Sequence, residues 1–189
     1  MTTNHISSIS RFDIILGPMF SGKSTELIRR CSRLEAIGKN ILYINHTYDV
    51  RTDDFIQTHS KHRKSALKVS SLSEIPDNDF KDADVIAIDE AQFFPDLYNF
   101  ILTCEKNKKT IIISGLDGDS NRKPFGQILE CIPLCDSVVK LTSMDMIDKD
   151  GTEAIFSMRK PNNNTDQVCV GAEDKFLAVS RENYLKYTF

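Results

Sequence analysis

Residues Gly17-Pro18-Met19-Phe20-Ser21-Gly22-Lys23-Ser24 satisfy the pattern G-x-x-x-x-G-K-[ST] at every fixed position. They lie between an apolar run of β type, Phe12–Leu16, and a stretch of helical periodicity over residues 24–37. That context constrains the fold, because such a loop works only when a strand delivers it and a helix leaves it. The glycines let successive backbone N–H groups curl around phosphate oxygens, and the helix N-terminus adds positive potential. The loop is therefore expected to hold ATP, with Lys23 reaching the β- and γ-phosphates and the Ser24 hydroxyl binding Mg²⁺.

Downstream, apolar runs alternate with helical stretches as far as Leu141. Residues 41–44, 84–88, 110–114 and 138–141 read as further strands. Gly38 is placed to stop the first helix in the left-handed conformation. Asp96 is placed to cap a helix on which Leu97, Ile101 and Cys104 share a face. Residues 127–132 read as a short helix stopped by Pro133. Strands apolar on both faces, alternating with helices, predict an α/β fold whose parallel sheet is covered on both sides. After Leu141 the apolar stretches shorten and residues 145–150 are strongly charged. Two domains are expected: residues 1–141, binding ATP, and a small C-terminal unit over 142–189.

A net charge of −3 and a pI near 5.8 argue against a general affinity for nucleic acid or anionic membrane. No stretch approaches the roughly 20 apolar residues that cross a bilayer, and residues 1–10 lack a secretory signal's apolar run. Cys31, Cys104, Cys131, Cys135 and Cys169 show no framework spacing. A reducing, cytoplasmic setting with mostly buried thiols is expected.

Asp89-Glu90 follows the apolar run that ends at Ile88. Alone, the pair also reads as a solvated acidic turn. At the end of a strand beside the P-loop strand it instead reads as a metal-orienting acid, Asp89, next to a proton acceptor, Glu90.

Three segments now occur in a telling order: residues 17–27, then Ile88-Asp89-Glu90-Ala91-Gln92-Phe93-Phe94, then Leu116-Asp117-Gly118 with Arg122-Lys123-Pro124-Phe125-Gly126. Together with Val138-Val139-Lys140-Leu141-Thr142 and Gly171-Ala172-Glu173-Asp174-Lys175, they resemble the type II, cytosolic thymidine kinases over nearly the whole chain. The resemblance implies a RecA-like domain and a small C-terminal subdomain whose lasso closes over the nucleoside. It implies Glu90 as catalytic base, Asp89 as the magnesium-associated acid, and Asp49-Val50-Arg51 near the phosphates, with Arg51 stabilising charge. On spacing alone, Asp49 and Arg51 pass as a surface charge pair. The ATP site would thus take in residues 17–24, 49–51, Asp89, Glu90, Ala91 and Gln92. The base pocket would be lined by Met19, Phe93, Leu116 and Ser120, with Gln167, Val168, Cys169, Val170 and Gly171 of the lasso and Phe176 beyond it. Residues 167–171 also read as an ordinary edge strand. ATP and thymidine are the implied partners, with deoxyuridine a second substrate, and the family implies a homo-oligomer, commonly a tetramer.

The chain departs from that pattern at several places. Ser120 stands where relatives usually carry an aromatic, Phe176 where they carry tyrosine, and Ala91 where glycine is common. Arg159 matches a basic residue before the lasso. The family holds a structural zinc with two C-x-x-C pairs, and the matching positions here are Asp145, Asp148, Ser180 and Asn183. None is a thiolate, so no structural zinc is expected. The competing readings are a kinase for another nucleoside or small hydroxyl compound, and an ATP-binding regulatory module of weak activity.

Overall fold

The computed structural model describes residues 10–49, 55–57, 63–160 and 175–188. Strand β1 (Phe12–Leu16) runs into the P-loop, and helix α1 (Lys23–Glu35) leaves it. Next come β2 (Ile41–His46), a hairpin of β3 (Phe55–Gln57) and β4 (Arg63–Ser65), β5 (Leu67–Val69), and the short helix α2 (Asp77–Asp82). Then follow β6 (Val85–Ile88), α3 (Leu97–Lys106), β7 (Thr110–Gly115) and β8 (Ser137–Lys140). The C-terminal region holds β9 (Ser143–Met144), β10 (Glu153–Ala154), β11 (Phe156–Arg159), β12 (Phe176–Val179) and α4 (Arg181–Thr188).

Six strands form one sheet in the order β5-β2-β6-β7-β1-β8, every pairing parallel. Alternate side chains face opposite layers, as the two-residue period of a strand requires. Ile14, Ile86, Ile88, Ile111 and Ile113 pack with Leu97, Ile101 and Cys104 of α3. Ile15, Val85, Ala87 and Ile112 pack with Leu27, Ile28 and Cys31 of α1 and Ile56 of the hairpin. Helices thus cover both faces, as the apolar runs predicted.

Several local expectations are corrected. Residues 127–132 are not an α-helix. Glu130 N–H bonds Gln127 O, Ile132 N–H bonds Leu129 O, and Cys135 N–H bonds Ile132 O, the tighter three-residue spacing of turns and 3₁₀ geometry. Pro133, with no N–H, cannot support the four-residue ladder. Asp96 does occupy the N-cap position of α3, but its side chain makes no capping bond there. Its carboxylate instead accepts from Ser71 Oγ and the N–H groups of Leu72 and Ser73. The side chain of Gln127 takes over at α3, accepting from Tyr98 N–H at 3.0 Å. Strand β5 carries too few residues for a readable period, and β2 runs on to His46 to pair with it. Cys31, Cys104 and Cys131 are buried, and burial pushes each thiol up to about 12.

Candidate active site

At the end of β1 the chain turns where only glycine fits: a Cβ on Gly17 would stand 2.7 Å from Leu141 O. Gly22 then enters α1 in the left-handed conformation, φ 82°. Ser21 Oγ donates to Pro18 O at 2.8 Å, and Lys23 Nζ donates to the same oxygen at 2.7 Å. The ammonium is buried inside the loop's curve, and Ser24 is half-buried in the first helical turn.

Asp89 and Glu90 lie past the C-terminal end of β6, with one correction. Their strand is not beside β1, because β7 lies between them. The interposed strand supplies a partner: Ser114 Oγ of β7 donates to Asp89 Oδ1, and both residues are buried. Glu90 adopts a left-handed backbone, φ 52°, which costs about 1 kcal/mol or more for a residue bearing a Cβ. Gln92 locks it there, its Nε2 donating to Glu90 Oε2 at 2.7 Å and its Oε1 accepting from Leu116 N–H at 3.0 Å. Ala91 is fully buried. Gly126 completes this corner, because at φ 59° a Cβ would lie 2.0 Å from Gln92 O.

Met19, Phe93 and Leu116 are half-buried, unlike the shielded isoleucines of the sheet. Phe93 meets Phe125 edge to face, centroids 5.5 Å apart, and Tyr48 likewise at 5.8 Å. Ser120 is half-buried in the loop after β7. Phe176 is buried on β12, with the Arg159 guanidinium 5.4 Å from its ring centre. Asp49 is buried and accepts from Asn45 Nδ2 at 2.9 Å. Val50, Arg51 and residues 167–171 lie outside the described residues.

Sequence reading missed two serines that join the C-terminal region to the P-loop. Ser157 Oγ accepts from Met19 N–H at 2.9 Å, and Ser143 Oγ donates to Phe20 O at 3.2 Å. Ser157 also lines a cleft of about 260 Å³ with Pro18, Gly118, Asp119 and Phe156. Lone serines on short strands carry no periodic signal. Phe125 was read only as part of a motif.

The four positions matched to zinc ligands do meet. Asp145 Oδ2 accepts from Ser180 N–H at 2.6 Å and Asn183 Nδ2 at 3.0 Å, while its Oδ1 accepts from the N–H groups of Ile147 and Asp148. Asn183 Nδ2 also donates to Asp148 Oδ2 at 2.7 Å. These donors hold the buried Asp145 carboxyl well below the usual carboxylate range, against the opposing pull of burial. The donor set does not fit zinc: Asn183 turns N–H groups, not lone pairs, toward the carboxylates, and both Asp145 oxygens are already occupied.

Residues 10–184 match the family signature described as thymidine kinase. The thymidine kinase of raccoon poxvirus is 43% identical over 172 residues, covering 91% of this chain and 95% of that protein. The thymidine kinase of Yaba monkey tumor virus is 43% identical over 173 residues, 92% of this chain and 93% of its own. The cytosolic thymidine kinase of Homo sapiens is 40% identical over 176 residues, 93% of this chain and 74% of that protein. No helix among the described residues is long and apolar enough to cross a membrane.

Proposed function

The chain belongs to the thymidine kinase family, and from that premise we propose that it transfers the γ-phosphoryl group of ATP to the 5′-hydroxyl of thymidine. The observation that carries this reading is the link from Glu90 through Gln92 to Leu116. It ties the carboxylate at the end of β6 to the half-buried Leu116 that follows β7. Glu90 accepts the 5′-hydroxyl proton while that oxygen bonds to the γ-phosphorus, and the bond to the β,γ-bridging oxygen breaks to release ADP. Lys23 and Arg51 stabilise charge on the transferred group, and the P-loop amides orient it. Ser24 and Asp89 would hold Mg²⁺, which supplies neutralisation of phosphate charge when bound; Ser114 orients the Asp89 carboxylate. Asp49 and Val50 belong with Arg51 to the ATP site, and residues 167–171 to the nucleoside site.

The rest of the reading is of the same kind. Deoxyuridine is a second substrate, the chain forms homo-oligomers in the cytoplasm, and residues 142–189 act as a small lid unit held without zinc. ADP release decides the central claim, measured with a panel of nucleosides against ATP alone and ATP with single-stranded DNA. Release driven by thymidine supports it. Release driven equally by ATP alone, or by DNA, sinks it.

A further inference from the structure

The last helix starts in a polar knot and, one residue later, reaches the loop that carries Ser120. Asn183, 2% exposed, is held by Asp145 and Asp148 through its side chain, and its N–H bonds Ser180 Oγ at 3.2 Å. With Ser180 N–H also on Asp145, the first turn of α4 is fixed in both position and rotation about its axis. Tyr184 follows, also 2% exposed, and its hydroxyl donates to Ser120 O at 2.8 Å. The Arg122 guanidinium lies 4.5 Å from the same ring's centre, and Phe156 packs on it at 5.1 Å. One ring therefore grips the loop at two points.

The loop so gripped behaves as a unit. Asp119 Oδ1 accepts from the N–H groups of Asn121 and Lys123, and Asp119 N–H bonds Lys123 O. Gly118 pairs with Pro124 as an isolated bridge. These bonds tie residues 118–124 to one another between β7 and Phe125. The Tyr184 hydroxyl holds the loop from outside, at the Ser120 carbonyl.

We propose that Tyr184 is a positioning residue for the nucleoside site, its hydroxyl fixing the Ser120 peptide and thereby the width of the thymidine pocket. The proposal rests on the reading of Ser120 as a wall of that pocket. A short side chain at that position makes the backbone's placement matter more, because no ring is present to fill a gap. The knot serves this role by giving Tyr184 a rigid base that does not depend on a metal.

Tyr184→Phe removes one oxygen and keeps the ring's packing on Phe156 and Arg122. The expected result is a thymidine KM raised about three- to tenfold, the loss of one hydrogen bond that orders a loop, with kcat and the ATP KM unchanged. An unchanged thymidine KM overturns the proposal. So does a parallel rise in both KM values with a lowered Tm, which would make the tyrosine merely structural. Ser120→Phe separates the Tyr184 latch from the role of Ser120 as a pocket wall. If it shifts the thymidine KM while Tyr184→Phe does not, only the latch fails. If it leaves thymidine kinetics untouched in an active enzyme, Ser120 is no pocket wall, and the proposal falls with that reading.

Discussion

The six-stranded sheet and the C-terminal region bury different things. The sheet shields Ile14, Ile44, Ile86 and Ile113 completely, and this apolar burial is non-directional and tolerant of small shifts. The C-terminal region rests on two two-stranded pairings, β9 with β10 and β11 with β12, and centres on the carboxylate of Asp145. A buried charge is tolerated only when its hydrogen bonds are complete, so this centre is directional and unforgiving. The difference teaches where each part should fail: the sheet by losing volume, the knot by losing one donor.

The largest effects should appear in neither framework but at the site between them. Glu90→Gln and Lys23→Ala should each lower kcat by about 10²-fold or more with little change in Tm. Loss of the folded baseline in circular dichroism would assign either residue to the framework instead. Ile86→Ala should cost about 2–5 kcal/mol in one cooperative transition, as a cavity in the layer between the sheet and α3. Asp145→Ala should cost about 1–3 kcal/mol by stranding the Ser180 and Asn183 donors. Hydrogen exchange should then show β12 and α4 opening before the sheet. Simultaneous opening everywhere would make the two regions one unit.

Acid should also distinguish them. His46, in the sheet, accepts from Tyr48 N–H at Nδ1 and bonds Ser70 O through Nε2, so it is neutral in the fold. Burial lowers its affinity for a proton, against the pull of the Ser70 carbonyl, Glu74 and Asp96. The unfolded chain takes up that proton first, near its ordinary value of about 6.5, so stability falls as pH drops below that point, until the folded form protonates too. Asp145 is lowered in the fold, so its contribution is intact above the ordinary carboxylate value, about 3.9, and lost only as pH falls below that. Denaturant titrations at pH 7, 5.5 and 3.5 should show His46→Gln flattening the first step and Asp145→Asn the second. The smallest expected effect is none: washing with chelator should leave Tm and thymidine kinetics unchanged, and a loss recovered by zinc would refute the metal-free knot.

Much of this was legible because it rests on strong local chemistry. The runs at Phe12–Leu16 and Val85–Ile88 are buried on both faces, and nothing but an inner parallel strand needs such residues there. The strand-to-helix turn at Lys23 and the position of Asp89 and Glu90 after an apolar strand were readable from the sequence. What escaped depends on geometry between distant segments. That β7 separates β6 from β1 leaves no mark on either strand, and the Ser114–Asp89 bond follows from it alone. The carboxylate of Asp96 had several N–H groups within reach, and sequence proximity pointed to the wrong ones. The knot's members were identified through the family's metal positions, but their mutual bonding needed coordinates.

The neighbours of β1 have a consequence for how the protein is made. Phe12–Leu16 pairs on one side with residues 111–115 and on the other with residues 137–140, and Phe12 N–H bonds Asp136. A ribosome delivers the second of these partners only at residue 140 of 189, so the strand that carries the P-loop waits for almost three-quarters of the chain before its ladder can close. Non-local parallel pairing of this kind folds slowly and leaves an unpaired edge open in the meantime. Nascent chains ending before residue 137 should therefore bind no nucleotide and should depend on chaperones, whereas chains released after residue 140 can close the sheet around the loop.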